Sequence, residues 1–210
     1  DGKLQPTIQT KRGCSFACTF CVEGTDYYTK IYRNSQEKTQ SELYHIGSKM
    51  QEVRNKGGRN DLWLVDSNFG MYNQDLDTCK SIAKCQTKYN WPEYIQCDTG
   101  KNNKPRVLSA ARLVNGAMRI SGSVQTLDSD VLKNIKRSNI SGDNLMELAV
   151  EAAEIDADSR SEIILALPGE SLKSHLQTIK TVAGSGFNHV NTYQLMMLPG
   201  TEIDSPETRE

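Results

Sequence analysis

Leu167-Pro168-Gly169-Glu170 and Leu198-Pro199-Gly200-Thr201 are one kind of turn used twice, thirty-one residues apart. Proline has no N–H to give a strand ladder, and glycine enters left-handed turns freely, so Pro-Gly after an apolar run ends a strand. The spacing suits one strand, one helix and their connections. A helix is predicted from about Ser171 to Ala183, stopped by Gly184-Ser185-Gly186, and a strand from Val190 to Leu198. The same alternation runs through the rest of the chain. Strands are predicted at Pro6–Thr10, Leu62–Val65, Tyr94–Cys97, Ala117–Val124 and Glu162–Leu167. Between them, Leu43, Ile46, Met50 and Val53 recur at helical spacing and predict a helix over Ser41–Asn55, stopped by Lys56-Gly57-Gly58. Further helices are predicted at Asp75–Lys88, through Ser109–Asn115, and at Ser129–Lys136 and Asn144–Ala157.

Strands alternating with helices of this length predict an α/β fold with parallel strands, because parallel neighbours need crossover connections. Six such units are too few for an eight-stranded barrel, and a partial (β/α)6 barrel or an open doubly wound sheet both fit. In either, ligands meet the carboxyl ends of the strands. A length of 210 residues is that of one large domain, and 37% apolar with 24% charged residues is an ordinary globular balance. A net charge of −1 supplies no electrostatic case for nucleic acid or an anionic membrane as partner. No apolar run reaches the length of a membrane span, and no signal peptide is visible. The chain opens on Asp1 and closes on Ser205-Pro206-Glu207-Thr208-Arg209-Glu210, a run-in to another helix, so both ends are expected to be cut from a longer protein.

Of six cysteines, three fall within eight residues: Cys14, Cys18 and Cys21, spaced Cys-x3-Cys-x2-Cys directly after the first strand. Cys79, Cys85 and Cys97 are scattered, with no paired framework of the kind secreted domains carry, so they are expected to be ordinary buried residues in a reducing, cytoplasmic protein. Soft thiolates at the close spacing suit a metal centre. Three of them hold three corners of a four-iron cluster and leave the fourth iron open to a small molecule. A structural zinc site usually takes four ligands in two pairs, and His45, His175 and His189 stand alone, as surface or helix residues would.

With aromatic Phe20 just before the last cysteine, Cys14, Cys18 and Cys21 resemble the motif of the radical S-adenosylmethionine (radical SAM) superfamily. The resemblance implies a partial (β/α)6 barrel, a [4Fe–4S] cluster on the three cysteines, and S-adenosylmethionine chelated at the open iron. It also implies reductive cleavage of that cofactor to methionine and a 5′-deoxyadenosyl radical. Gln125, and twelve residues later Arg137, are similar to a family stretch in which glutamine and arginine bind the cofactor's polar end. A guanidinium suits a carboxylate because it presents two parallel donors. Glu162-Ile163-Ile164-Leu165-Ala166-Leu167-Pro168-Gly169 resembles the family's acid-Ile-x-Gly-Leu-Pro-Gly run, with Glu162 where a carboxylate accepts ribose hydroxyls and Ala166 where glycine is usual. A second departure is Asp66-Ser67-Asn68-Phe69-Gly70, where the family often has Gly-Gly-Glu; Asp66 or backbone carbonyls there would meet the cofactor's amino group. The cofactor-binding set expected from the resemblance is therefore Phe20, Asp66, Gln125, Arg137 and Glu162.

Arg12-Gly13-Cys14, Gln125-Thr126-Leu127, Ile135-Lys136-Arg137 and the two Leu-Pro-Gly turns are most similar to the cobalamin-dependent members. That resemblance implies that residues 1–210 are the core domain of a longer protein. An N-terminal cobalamin-binding domain would precede it and a C-terminal region follow, with cobalamin a cofactor of the parent. The implied activity is a methyltransferase or cyclase acting on a small-molecule substrate, fed by a reductant such as flavodoxin or ferredoxin. A tRNA methylthiotransferase-like enzyme is the alternative, though the chain lacks the basic stripe that RNA binding favours. A non-catalytic iron–sulfur electron carrier is a third reading; such a carrier normally saturates its cluster with a fourth thiolate. Tyr27, Tyr28, Tyr193 and Met196 are substrate candidates by location alone.

Overall fold

A computed structural model describes residues 3–139 and 142–209 of the chain. In chain order the strands are β1 (Thr7–Ile8), β2 (Lys11–Arg12), β3 (Tyr32–Arg33), β4 (Asp61–Leu64), β5 (Tyr94–Gln96), β6 (Ile120–Ser121), β7 (Ser159–Leu165) and β8 (His189–Gln194). The helices are α1 (Gln36–Asn55), α2 (Asn73–Tyr89), α3 (Lys104–Leu113), α4 (Ser129–Asn134), α5 (Gly142–Glu154), α6 (Leu172–Ala183) and α7 (Pro206–Arg209). Each predicted strand and helix has its counterpart, with shifted ends. No helix among the described residues is long and apolar enough to cross a membrane.

The chain divides into two units. The first comprises Asp1–Lys11, Arg33–Ser121 and Glu151–Ser159. Its sheet runs in the order β1-β4-β5, all parallel, with Ile8 opposite Leu64 and Leu62 opposite Ile95. Ile95 also bridges Met118 in parallel, which carries the order one step toward β6. Leu62, Leu64 and Ile95 are buried with Leu43, Ile82 and Trp91, so alternate strand residues supply the core. Helix α1 starts five residues before the apolar repeat predicts (36 against 41), because Ser35 caps it, its hydroxyl accepting from the Lys38 N–H at 3.2 Å. Its first turn is polar, and hydrophobic spacing cannot register a polar turn. Cys79, Cys85 and Cys97 are all buried and none is in a disulfide, as expected of small core residues. Burial pushes the Cys85 thiol up to about 11, so at neutral pH it is inert. Strand β6 is much shorter than the predicted Ala117–Val124. Asn115 and Gly116 both take positive φ (55° and 74°) in the turn just before that run, and the chain turns again at Gln125 (66°) just after it.

The second unit comprises Arg12–Tyr32, Gly122–Val150 and Arg160–Glu210. Here β7 and β8 run parallel, with Glu162 opposite Asn191 and Leu165 opposite Gln194. Val124, Leu145, Ile163 and Val182 form one buried cluster, flanked by Leu127, Ile179, Phe187 and Val190. Val131, Ile135 and Leu167 form another, against which Phe20, Leu132, Ile164 and Leu195 pack. The repeated turn is the same conformation twice: Gly169 has φ 82° and Gly200 φ 84°.

Ala166 has φ 66°, which explains why glycine is the usual residue in such a run. An alanine held left-handed is strained by about 1–2 kcal/mol, against about 0.5–1 kcal/mol for the extra unfolded-state freedom of glycine. Ala166 is exposed, so its methyl contributes little burial. Ala166→Gly is expected to stabilise the chain by about 0.5–1 kcal/mol, read as a higher urea midpoint with an unchanged slope.

Candidate functional site

The cysteine loop is built by two glycines that nothing larger could replace. Gly13 sits at φ 111°, and a Cβ there would lie 2.5 Å from the Lys30 carbonyl oxygen and 2.8 Å from that of Tyr28. The adjoining Cys14 N–H donates to the Tyr28 carbonyl at 2.8 Å. At the far end, a Cβ on Gly24 would meet the Cys18 carbonyl oxygen at 2.2 Å. The Cys21 N–H donates to the Cys18 carbonyl and the Gly24 N–H to that of Cys21, so the last two cysteines are wound into one tight turn. The Thr19 N–H donates to Ile135 O at 3.2 Å and the Thr19 carbonyl accepts from Ile203 N–H at 3.1 Å, which fixes the loop to its own unit. Cys14 and Cys18 are buried and Cys21 is half-buried. The Cys21 thiol is pushed up chiefly by burial; a hydrogen bond from the Glu23 backbone opposes this, while Glu23, Cys14 and Cys18 add like-charge repulsion. Bound iron reverses that repulsion, since thiolates crowd together only around positive charge. Among the described residues no three His, Cys, Asp or Glu side chains converge on a single ion position. Thiolates that bind three separate irons have no need to.

Gln125, Arg137 and Glu162 lie in the same unit as the cysteine loop, and the structure connects them. Gln125 bridges Ile163 in parallel, its N–H donating to Glu162 O at 2.8 Å and its carbonyl accepting from Ile164 N–H at 2.9 Å. Its backbone is therefore paired directly with the strand that carries Glu162. The Gln125 Oε1 is buried and has no hydrogen-bond partner. Arg137 donates from Nε to Asn139 Oδ1 (2.9 Å), from Nη2 to Ser123 O (2.5 Å) and from Nη1 to Cys18 Sγ (3.7 Å). Ser123 in turn donates through its hydroxyl to Glu162 Oε2 at 3.0 Å, and Arg160 stands 3.5 Å from Glu162 Oε1. One chain of contacts thus runs Cys18–Arg137–Ser123–Glu162, with Gln125 alongside. Phe20, expected as a cofactor contact, packs on Val131, Ile135 and Leu167.

Asp66 lies in the first unit. Its carboxylate accepts from Thr10 N–H (2.6 Å), the Thr10 hydroxyl, Lys11 N–H (3.1 Å) and Lys11 Nζ (3.3 Å). The carboxylate is thus taken up by its own unit's backbone and by a lysine. His175 is on a helix as expected but buried, with Nδ1 3.1 Å from Glu170 Oε2; Glu170 Oε1 accepts from the Thr126 hydroxyl at 2.8 Å. Sequence reasoning missed Ser123 and Asn139. Asn139 donates to Val124 O (2.6 Å) and Thr126 O (2.8 Å), the two residues either side of Gln125. No periodicity or motif marks a residue that acts through backbone carbonyls.

A protein-family model described as the radical SAM superfamily matches residues 8–182. The chain belongs to the radical SAM superfamily. Its similarity to curated proteins is modest but nearly full-length on its own side. It is 29% identical over 207 residues to the cobalamin-dependent radical SAM methyltransferase TokK of Streptomyces tokunonensis, covering 96% of this chain and 29% of that protein. It is 29% identical over 204 residues to a 2-(S-pantetheinyl)-carbapenam-3-carboxylate methyltransferase of Streptantibioticus cattleyicolor, covering 95% of this chain and 29% of the relative. The chain therefore spans under a third of the length of either. Among solved structures, the radical S-adenosylmethionine methyltransferase TsrM of Kitasatospora setae, with cobalamin and a [4Fe–4S] cluster bound, superposes with a TM-score of 0.78 at 13% identity. That match covers 95% of this chain and 38% of TsrM. The likeness establishes the fold class as the α/β, parallel-stranded partial barrel of radical SAM proteins, in place of an open doubly wound sheet.

The superfamily's cofactors are a [4Fe–4S] cluster and S-adenosylmethionine, and the residues present fit both. Three soft thiolates suit the cluster and leave one iron free of protein. An amide oxygen buried without a donor is unfavourable by about 1–3 kcal/mol, and Gln125 Oε1 is such an acceptor, suited to an ammonium. Arg137 spends three of a guanidinium's five N–H groups on Asn139, Ser123 and Cys18, which leaves one on each terminal nitrogen for a carboxylate.

Proposed function

We propose that this chain is the radical-generating core of a cobalamin-dependent radical SAM methyltransferase acting on a small-molecule carbon centre. The observation that carries the cofactor assignment is the buried, unpartnered Gln125 Oε1, in the unit where Arg137, Glu162 and a cluster cysteine are already joined through Ser123. Methyl transfer and cobalamin rest on the relatives, which resemble the chain across nearly all of it.

When bound, the cluster supplies an open iron and one electron for cleavage of the sulfonium. The protein's own contribution is to bind and orient. Cys14, Cys18 and Cys21 hold the cluster in a loop whose curvature Gly13 and Gly24 permit. Gln125 Oε1 accepts from the ammonium of the methionine moiety, and the two remaining Arg137 N–H groups take its carboxylate. Glu162 offers carboxylate oxygens to the ribose hydroxyls; its side chain is 20% exposed and already oriented by Ser123 and Arg160. Orientation of this kind converts a bimolecular encounter into a fixed geometry. A plain electron carrier has no use for these side chains.

The test is anaerobic reconstitution with iron and sulfide, then dithionite and S-adenosylmethionine. The reduced cluster's EPR signal should change on adding the cofactor, and 5′-deoxyadenosine should accumulate. An unchanged signal with no 5′-deoxyadenosine would sink the radical assignment. For methyl transfer, the full-length protein supplied with cobalamin should also form S-adenosylhomocysteine, in a cobalamin-dependent way. Failure of that arm alone returns the chain to the methylthiotransferase-like or another radical reading.

A further inference from the structure

We infer that Arg137 also sets the reduction potential of the cluster, by donating a charged hydrogen bond to the Cys18 thiolate, and that Asn139 is the positioning residue that holds it there. The inference rests on the cluster assignment above and adds to Arg137 a role distinct from binding the cofactor's carboxylate. Its basis is the three-point clamp. Nε is fixed by Asn139 Oδ1 at 2.9 Å and Nη2 by Ser123 O at 2.5 Å, and the plane so defined presents Nη1 to Cys18 Sγ at 3.7 Å. Asn139 is itself fixed, because its Nδ2 donates to both Val124 O and Thr126 O. A guanidinium pinned by a side chain and a backbone carbonyl has lost the freedom to swing toward solvent. Cys18 is 5% exposed, so water screens the pair weakly.

The direction of the effect follows from charge. Reduction adds one electron to the cluster and its thiolates, and a fixed cation at hydrogen-bond distance stabilises the more negative state. Hydrogen bonds to the sulfurs and net charge are among the quantities that set cluster potentials. Arg137 would make the cluster easier to reduce even before S-adenosylmethionine arrives. Its two unused N–H groups would then place the cofactor's carboxylate on the same guanidinium, so cofactor binding and cluster potential become linked quantities.

The experiment is a redox titration of the reconstituted cluster without S-adenosylmethionine, following the EPR signal of the reduced form with dithionite as electron donor. Iron and sulfide content are measured first: no cluster in the parent would count against the assignment itself, whereas a normal cluster with an unmoved potential in a variant counts against the inference alone. Arg137→Gln should make reduction about tenfold less favourable, about 59 mV for one electron. Arg137→Lys keeps the charge and should stay within about threefold of the parent. Asn139→Ala keeps the charge but frees its anchor, and should shift the equilibrium in the direction of Arg137→Gln by about threefold. A normal cluster in Arg137→Gln at the parent potential overturns the inference, and so does Arg137→Lys falling as far as Arg137→Gln. If Arg137→Gln takes up no cluster, Asn139→Ala decides: a lowered potential supports the inference and an unmoved one overturns it.

Discussion

Cys18→Ala is expected to lose the cluster, the brown colour and all cleavage of S-adenosylmethionine, while the chain stays folded. The two halves of that outcome have separate causes. Folding survives because what Cys18 gives the loop's shape is its carbonyl, which accepts from the Cys21 N–H, and alanine keeps that bond. The core of the same unit is supplied elsewhere, by Val124, Leu145, Ile163 and Val182 and by Val131, Ile135 and Leu167. The cluster is lost because two thiolates leave two irons without a protein ligand, and because Arg137 loses the sulfur its Nη1 donates to. After anaerobic reconstitution, iron and sulfide should be at background and 5′-deoxyadenosine undetectable. Cys79→Ala is the control. Cys79 is fully buried in the first unit with no close-spaced thiol neighbours in sequence, so that variant should keep a full cluster and lose only packing. A full cluster in Cys18→Ala would move the ligand set to other residues.

What the sequence could and could not reveal divides along physical lines. The βα alternation was legible because buried strands and one-sided helices impose apolar spacing, and the Pro-Gly turns marked where strands stop. Element ends were less legible. Helix α1 opens in a polar turn that only the Ser35 cap identifies, and β6 shrinks because the chain turns at Asn115-Gly116 before it and at Gln125 after it. The cluster ligands were legible because chemistry fixes both their type and their spacing. Gln125, Arg137 and Glu162 could be named only by resemblance; nothing in their own surroundings in sequence singles them out. Ser123 and Asn139 were invisible for a different reason. They work through a hydroxyl and an amide aimed at groups that are distant in sequence or carry no side-chain signature, and such contacts exist only once the chain is folded.

Lys11 was equally silent in sequence, yet replacing it should have the largest effect on stability. Its ammonium is buried (side chain 1% exposed) between Asp66 at 3.3 Å and Asp75 at 3.1 Å, both carboxylates being at most 1% exposed. The Phe69 and Tyr72 rings lie 4.9 and 5.6 Å from it. Desolvation makes such a group a poor source of net stability, but removing one member leaves charge buried without compensation. In Lys11→Met, Asp66 keeps its bonds from Thr10 and the Lys11 backbone, and Asp75 keeps the Tyr72 N–H and a partly exposed Arg33 at 3.5 Å. Neither set replaces the shared ammonium. The expected loss is about 3–5 kcal/mol, roughly 10 °C in melting temperature for a chain of this size, measured by urea and thermal unfolding of the cluster-free protein. Lys11→Met with Asp75→Asn should recover part of it, because one buried charge leaves with the other. A single-variant loss under about 1 kcal/mol would mean the carboxylates are already compensated by their hydrogen bonds alone.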